Sequence, residues 1–180
     1  APLLNALKGR AHAGIILVIS GGNEGDTPEG VNPNPFAAVP AEFFPNNVII
    51  AGSVGVTSGS GTNLSQLSDF SNKAGTGRQN YLTAIGYRVL APDHTGTMYY
   101  WSGTSFAAPV ISGAVALLAD AFPNLTASQI IDILFDTSDD LGTAGVDTIF
   151  GHGRLNITRG FQPVGTTTLA GTEVGSRSSG

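Results

Sequence analysis

Ile15-Ile16-Leu17-Val18-Ile19-Ser20 is a continuous apolar run, rich in β-branched residues, that breaks at Gly21-Gly22-Asn23-Glu24-Gly25. A run without polar alternation reads as a strand buried on both faces, and the glycines after it open positive φ to the turn. Before it, Ala1 to Arg10 lack a signal-peptide pattern, because Lys8 and Arg10 follow Leu3, Leu4 and Leu7 instead of preceding a long apolar run. Those residues read as the end of an amphipathic helix. Helix, buried strand and glycine-rich exit predict an α/β fold on a parallel sheet.

Further along, Val48 to Val54 is the next buried strand, while residues 26 to 47 and 57 to 80 read as long surface loops of Pro, Asn, Gly and Ser. Arg88 to Ala91 is a short strand stopped by Pro92, and Thr97 to Trp101 alternates like an edge strand or hairpin arm. The chain then turns at Gly103-Thr104-Ser105 into an apolar stretch ending near Phe122, whose Ala107, Ala108, Val110, Ile111, Ala114, Val115, Leu117 and Leu118 predict a central, buried helix. Thr126 and Gln129 have capping-box spacing ahead of Ile130, Ile131, Ile133 and Leu134. Gly151-His152-Gly153 leads to Leu155 and Ile157, and Gly, Ser and Thr from Gly165 onward read as a linker or frayed tail. Residues 1–162 therefore form one domain portion and 163–180 a linker or disordered tail.

Composition removes several functions. Lys and Arg total 8 against 13 Asp and Glu, a net charge of −5, and no basic cluster is present, which argues against nucleic acid. The run from Gly14 to Ile19 is far shorter than the roughly 20 residues of a membrane helix, so no membrane span is expected. The absence of cysteine excludes disulfides, thiol catalysis and thiolate metal sites. Only 12% of residues are charged and 25 are Gly, a balance that fits a secreted bacterial protein.

Ser105 stands where a strand-like segment meets an apolar helix, with Pro109 in the first helical turns. There it meets free backbone N–H groups and the positive end of the helix dipole, which favour negative charge on a bound acyl oxygen. Taken alone, a serine before a helix is an ordinary N-cap. The whole string Ser102-Gly103-Thr104-Ser105-Phe106-Ala107-Ala108-Pro109 decides otherwise: it resembles the nucleophile motif of subtilisin-like serine proteases, Gly-Thr-Ser-x-Ala-x-Pro. It is not the Gly-x-Ser-x-Gly elbow of α/β hydrolases, because Ala107 holds the last position.

Gly21-Gly22-Asn23-Glu24-Gly25 resembles the oxyanion loop of the same family, and the missing Lys-Ser or Lys-Thr rules out a phosphate loop. The resemblance implies that Ser105 attacks, that Asn23 donates its amide to the oxyanion, and that Ser20, Gly21 and Gly22 wall the primary specificity pocket, with Gly103 and Thr104 also at the substrate. It continues through Val39-Pro40-Ala41, where relatives often place a cis proline, and through Asp69-Phe70-Ser71, Leu90-Ala91-Pro92 and Phe150 to Asn156. It covers roughly residues 1 to 162 and implies the C-terminal portion of a three-layer subtilisin-like fold.

The same resemblance exposes a gap. The family order is Asp, His, Ser, yet neither an Asp nor a His motif precedes the oxyanion loop here. His12, His94 and His152 are the only histidines, none in a His-Gly-Thr context; His94, 11 residues before Ser105, is the one candidate for a substitute base. The triad partners are expected upstream, so the chain alone should be nearly inert and should need its missing half or a second copy. No cofactor is implied. Structural calcium, common in the family near the Ala91-Pro92 strand, is not supported, because Arg88 stands where a carboxylate would help; the Asp26 and Glu29 loop reads as solvated charge. Asn63-Leu64-Ser65, Asn124-Leu125-Thr126 and Asn156-Ile157-Thr158 match glycan acceptor patterns without an assigned function, the last two being better read as helix capping and strand closure.

The expected activity is peptide-bond hydrolysis on protein or peptide substrates; the alternative is a non-catalytic relative used for binding or assembly. The Gln162-Pro163-Val164-Gly165 exit into a Thr-rich stretch resembles the exit of autotransporter subtilase passengers, which implies export to the cell surface or beyond.

Overall fold

The computed structural model describes residues 2–12, 14–58, 61–162, 167–169 and 172–174. Helix α1 (Pro2–His12) precedes strand β1 (Leu17–Ser20), and helix α2 (Pro35–Phe43) lies between β1 and the long strand β2 (Val48–Ser58). Strands β3 (Gly61–Leu67), β4 (Tyr81–Ile85), β5 (Val89–Pro92) and β6 (Met98–Trp101) follow, then helices α3 (Thr104–Ala121), α4 (Ala127–Asp136) and α5 (Ile157–Gly160). Within the stretch read as a tail, β7 (Thr167–Leu169) and β8 (Thr172–Val174) pair antiparallel; Pro163 to Thr166 lie outside the described residues.

Strand β2 organises the sheet. Ile50 and Ala51 pair in parallel with Ile19 and Ser20 of β1 and also with Tyr81 and Leu82 of β4, so β1 and β4 occupy opposite edges of β2. Where β1 stops, antiparallel β3 takes over its edge, with Val54 opposite Leu67. The expected α/β fold with a parallel-containing sheet is observed, and its β-branched centre explains why: Val48, Ile49, Ile50, Ala51 and Val54 are all fully buried, covered on both faces. One face packs against α3 and α4 through Ile49, Leu82, Ala107, Ile111, Leu118, Ile131 and Leu134. The other packs Ile50 and Tyr81 against Ala37 and Ala41 of α2.

The capping box at Thr126 and Gln129 is present, with both reciprocal bonds. Such a cap contributes about 1 kcal/mol, whereas each fully buried Leu or Ile contributes about 1.5–3 kcal/mol, so packing of Ile130, Ile131 and Leu134 is what holds α4.

Several expectations need correction. Residues 26 to 47 are not a plain loop: a 3-10 turn spans Pro28–Val31, and Asn34 caps α2 by accepting from Phe36 N, with Pro35 at the helix start. Pro40 sits inside that helix and no cis peptide bond occurs among the described residues, because α-helical backbone is trans throughout. Residues 57 to 80 contain β3, whose polar side chains hide a strand held mainly by its ladder to β2. Asn156 caps α5 by accepting from Arg159 N and does not close a strand. Helix α3 is buried along one stripe only: Ala107, Ile111, Ala114 and Leu118 face the sheet, whereas Val110 and Leu117 are exposed, because no described residue covers that face. Helix α3, not the run from Gly14 to Ile19, is the long apolar segment; it meets the length and composition of a membrane helix, but its Ala107, Ile111, Ala114 and Leu118 pack against the sheet as a core helix does.

The residues after α4 lock β4 from outside. Leu155 N donates to Thr83 O, and Thr83 N and Oγ1 both donate to Gly153 O, at 2.8 Å each. Asp139 anchors this segment, accepting from Arg154 at 2.6 Å and Asn156 at 2.7 Å, with Arg159 at 3.5 Å. Partial burial pushes the Asp139 carboxyl up, but the hydrogen bonds of Asn156 and Arg154 and the two guanidinium charges outweigh it and hold the group below its ordinary value.

Two outcomes are expected. Because the folded Asp139 titrates below the unfolded value of about 3.9, its contribution is present above that pH and is lost as pH falls toward the folded value. Asp139→Asn should cost roughly 1–3 kcal/mol at neutral pH and lose less of its remaining stability below about pH 4, as read by urea unfolding across pH. Separately, nothing among the described residues pairs with the outer edge of β1, and Ile15, Phe36, Phe43, Val110 and Leu117 are exposed on the elements around it. The chain should self-associate or capture a neighbouring segment on size exclusion; a clean, stable monomer would contradict this.

Candidate active site

Strand β1 delivers the glycine turn, and β6 delivers the start of α3, to one place. The hairpin of β5 and β6 is tied to the sheet at its root: Gly103 N donates to Gly86 O at 2.8 Å, and Arg88 N to Ser102 Oγ at 3.0 Å. Gly103 is the N-cap, Thr104 the first helical residue and Ser105 the second. Ser105 is exposed, and its backbone N–H lies ahead of the first i→i−4 bond of the helix.

Thr104, fully buried, joins the two motifs. Its N–H donates to Asn23 Oδ1 at 2.8 Å and its hydroxyl lies 2.9 Å from the same oxygen. A backbone N–H can only donate, so this contact fixes which amide atom of Asn23 is oxygen and leaves Nδ2 as the outward donor. A point one Cβ bond from Gly103 lies 3.5 Å from Asn23 Nδ2 and 3.8 Å from Ser105 N, so both nitrogens border the space that Gly103 leaves open.

The loop carrying Asn23 is held from below. Gly22 has φ of 116°, and a Cβ there would lie 2.6 Å from Asn72 Nδ2, so only glycine fits. Gly21, buried at the end of β1, donates to Ala51 O at 2.8 Å and accepts from Asn34 N at 2.7 Å. Ser20 closes β1 opposite Ala51. Ser20, Gly21, Gly22, Asn23, Gly103, Thr104 and Ser105 thus form one contiguous cluster around the sheet end.

Neither described histidine side chain joins that cluster. His94 is exposed in the turn between β5 and β6, and no hydrogen bond or ring contact links it to Ser105. His152 stacks on Phe135 at 3.9 Å between centroids, with Nε2 3.1 Å from Gln79 O. Burial pushes its pKa down, outweighing the Gln79 carbonyl and the Asp132 and Asp136 charges that raise it. The side chain of His12 lies outside the described residues. Among the described residues no three His, Asp or Glu side chains gather as metal ligands. The guanidinium of Arg88 lies over the Tyr100 ring, 5.0 Å from its centroid.

Two participants escaped the sequence. Asn72 is 2% exposed and bridges the glycine turn, and Tyr81 is fully buried on β4. Tyr81-Leu82-Thr83-Ala84-Ile85, five strand-favouring residues between Asn80 and Gly86, carried a legible signal; Asn72 had none beyond following Asp69-Phe70-Ser71.

Comparison with known proteins bears on the family and the fold. Serotype-specific antigen 1 of Mannheimia haemolytica is 34% identical over 166 residues, 87% of the chain and 16% of that protein. Neisserial autotransporter lipoprotein NalP of Neisseria meningitidis serogroup B is 40% identical over 55 residues, 31% of the chain and 5% of that protein. The self-cleaved protease domain of PatA superposes with a TM-score of 0.62 at 26% identity, covering 88% of the chain and 53% of that structure. The chain thus spans about half the length of that protease domain and a small part of these curated relatives. The Subtilase family model matches residues 1–153. The chain belongs to the Subtilase family of serine proteases and carries a mixed α/β portion of its fold.

Proposed function

We propose that this chain supplies the nucleophile and the oxyanion hole of a serine endopeptidase, while the Asp and His of the triad come from a segment upstream of residue 1. Ser105 Oγ attacks the scissile carbonyl, an upstream His takes its proton and later returns it to the leaving amine, and Asn23 Nδ2 with the Ser105 N–H holds the oxyanion. The observation that carries this reading is that Asn23 Nδ2 and Ser105 N border one space beside Gly103, with Asn23 Oδ1 held by both polar groups of Thr104. Ser20, Gly21 and Gly22 wall the primary specificity pocket. The β1 edge and the outer face of α3, which nothing among the described residues pairs with or covers, support an origin of the missing groups in a neighbouring segment.

The relatives' names support export: a serotype antigen and an autotransporter lipoprotein both match. We take the protein to act outside the cell or at its surface, on protein or peptide substrates.

The test is covalent labelling by a fluorophosphonate, read by intact mass. The chain joined to its upstream segment should label and Ser105→Ala should not, while the chain alone stays unlabelled; a joined protein that never labels points to the non-catalytic alternative. Asn23→Ala should lower turnover by about 10²–10³, a magnitude carried over from a subtilisin asparagine. Thr104→Val keeps the N–H contact to Asn23 but loses the hydroxyl, and should lower kcat by about tenfold, the equivalent of one net hydrogen bond.

A further inference from the structure

Asn23 is one residue of an exposed turn, and a catalytic donor on such a turn needs a rigid support. Two residues hold it. Thr104 fixes the Asn23 side chain, as described above. The residues on either side of Asn23 are both bound to Asn72: the Asn72 N–H donates to Gly22 O at 3.1 Å, and the Glu24 N–H donates to Asn72 Oδ1 at 2.7 Å. The other end of the Asn72 amide donates to Asn32 O at 3.0 Å, so both ends are used and its orientation is fixed. The Asn72 carbonyl in turn accepts from the buried hydroxyl of Tyr81 and from Ser71 Oγ at 3.1 Å.

We propose that Asn72 is the positioning residue of the oxyanion donor: it clamps Gly22 and Glu24 and so sets where Asn23 Nδ2 points. The proposal rests on the reading that Ser105 attacks and Asn23 stabilises the oxyanion. Asn72 touches no reacting atom, so its effect passes through Asn23. A residue that only satisfied buried amides would affect folding without coupling to Asn23; a positioning residue is coupled to it.

The experiment is a double-mutant cycle in the chain joined to its upstream segment, reading kcat and KM on a peptide substrate together with the fluorophosphonate labelling rate. Asn72→Ala should lower kcat about tenfold to a hundredfold, as a small misplacement of a catalytic group does, with KM within about twofold. Added to Asn23→Ala it should cost nothing more, because the group it positions is gone. Losses that multiply would overturn the proposal, whereas an Asn23→Ala variant as active as the parent would overturn the function reading beneath it.

Should Asn72→Ala fail to fold, Asn72→Asp decides. A protonated carboxyl can accept from Glu24 N–H and donate to Asn32 O as the amide does, but an ionised one cannot donate. Burial and the nearby Glu24 carboxylate, whose Oε2 lies, like Asn72 Nδ2, 2.6 Å from a point one Cβ bond from Gly22, both favour the protonated form. The Tyr81 hydroxyl is spent on the Asn72 carbonyl and offers the new carboxylate nothing. The parent-to-variant rate ratio should therefore be smallest at low pH and grow as pH rises; a ratio constant across pH would overturn the proposal.

Discussion

The hydroxyl of Tyr81 donates to the backbone carbonyl of Asn72 from a position of complete burial, and the site is built on that contact. Burial drives the phenol pKa upward, against the Ser71 hydrogen bond that lowers it, so the group stays a neutral donor across all working pH. The contact needs Gly52 on the neighbouring strand, because a Cβ there would lie 2.1 Å from the Tyr81 oxygen. Around it Ser53, Ser68 and Ser71 form a buried network: Ser53 Oγ lies 2.8 Å from Ser68 Oγ, and Ser53 N donates to Ser71 Oγ at 3.0 Å. Among the described residues no buried side-chain polar atom lacks a partner, the condition under which a polar network rigidifies a core instead of weakening it. Hydrogen bonds therefore connect the central strand, the Asp69-Phe70-Ser71 segment and the Asn23 turn.

The other distinctive feature is asymmetry. On the β4 side the sheet is sealed by residues 139 to 155, with carbonyls and amides paired across to Thr83 and Tyr81. On the β1 side it ends in an open edge, with α2 and α3 each presenting apolar side chains that nothing among the described residues covers. The cluster around Ser105 lies toward the open side, at the ends of β1 and α3. A catalytic centre assembled there would be completed by whatever covers that edge, which links the folding problem of the chain to its chemistry: the surface that costs stability is also where a base would have to arrive.

The aromatic hairpin of β5 and β6 adds a rigid entry to the helix. Trp101 stacks on Phe106 at 6.1 Å and meets Tyr99 edge-on at 6.2 Å, so an aromatic contact joins β6 to the first turn of α3. With Gly103 bound to Gly86 and Thr104 bound to Asn23, the serine starts α3 from a fixed backbone.

The sequence by itself determined the α/β class, the buried strand at Val48 to Val54, a strand within Ile15 to Ser20 that the structure shortens to Leu17–Ser20 and leaves half-buried with Ile15 exposed, the helix that follows Gly103, the capping box at Thr126, and the resemblance carried by two motifs. These are local signals: apolar period, glycine placement and turn chemistry act within a few residues. The sequence could not reveal that β3 is a strand, since its polar side chains owe their order to the ladder with β2, nor that Pro40 lies in a helix, nor that α3 keeps one face bare. It could not bring Asn72 to Asn23, because a buried asparagine has no periodicity and its partners, Gly22, Glu24 and Asn32, are some 40 to 50 positions earlier in the chain. Tertiary structure decided those points, for the physical reason that a hydrogen bond between distant residues is specified only once the core has brought them together.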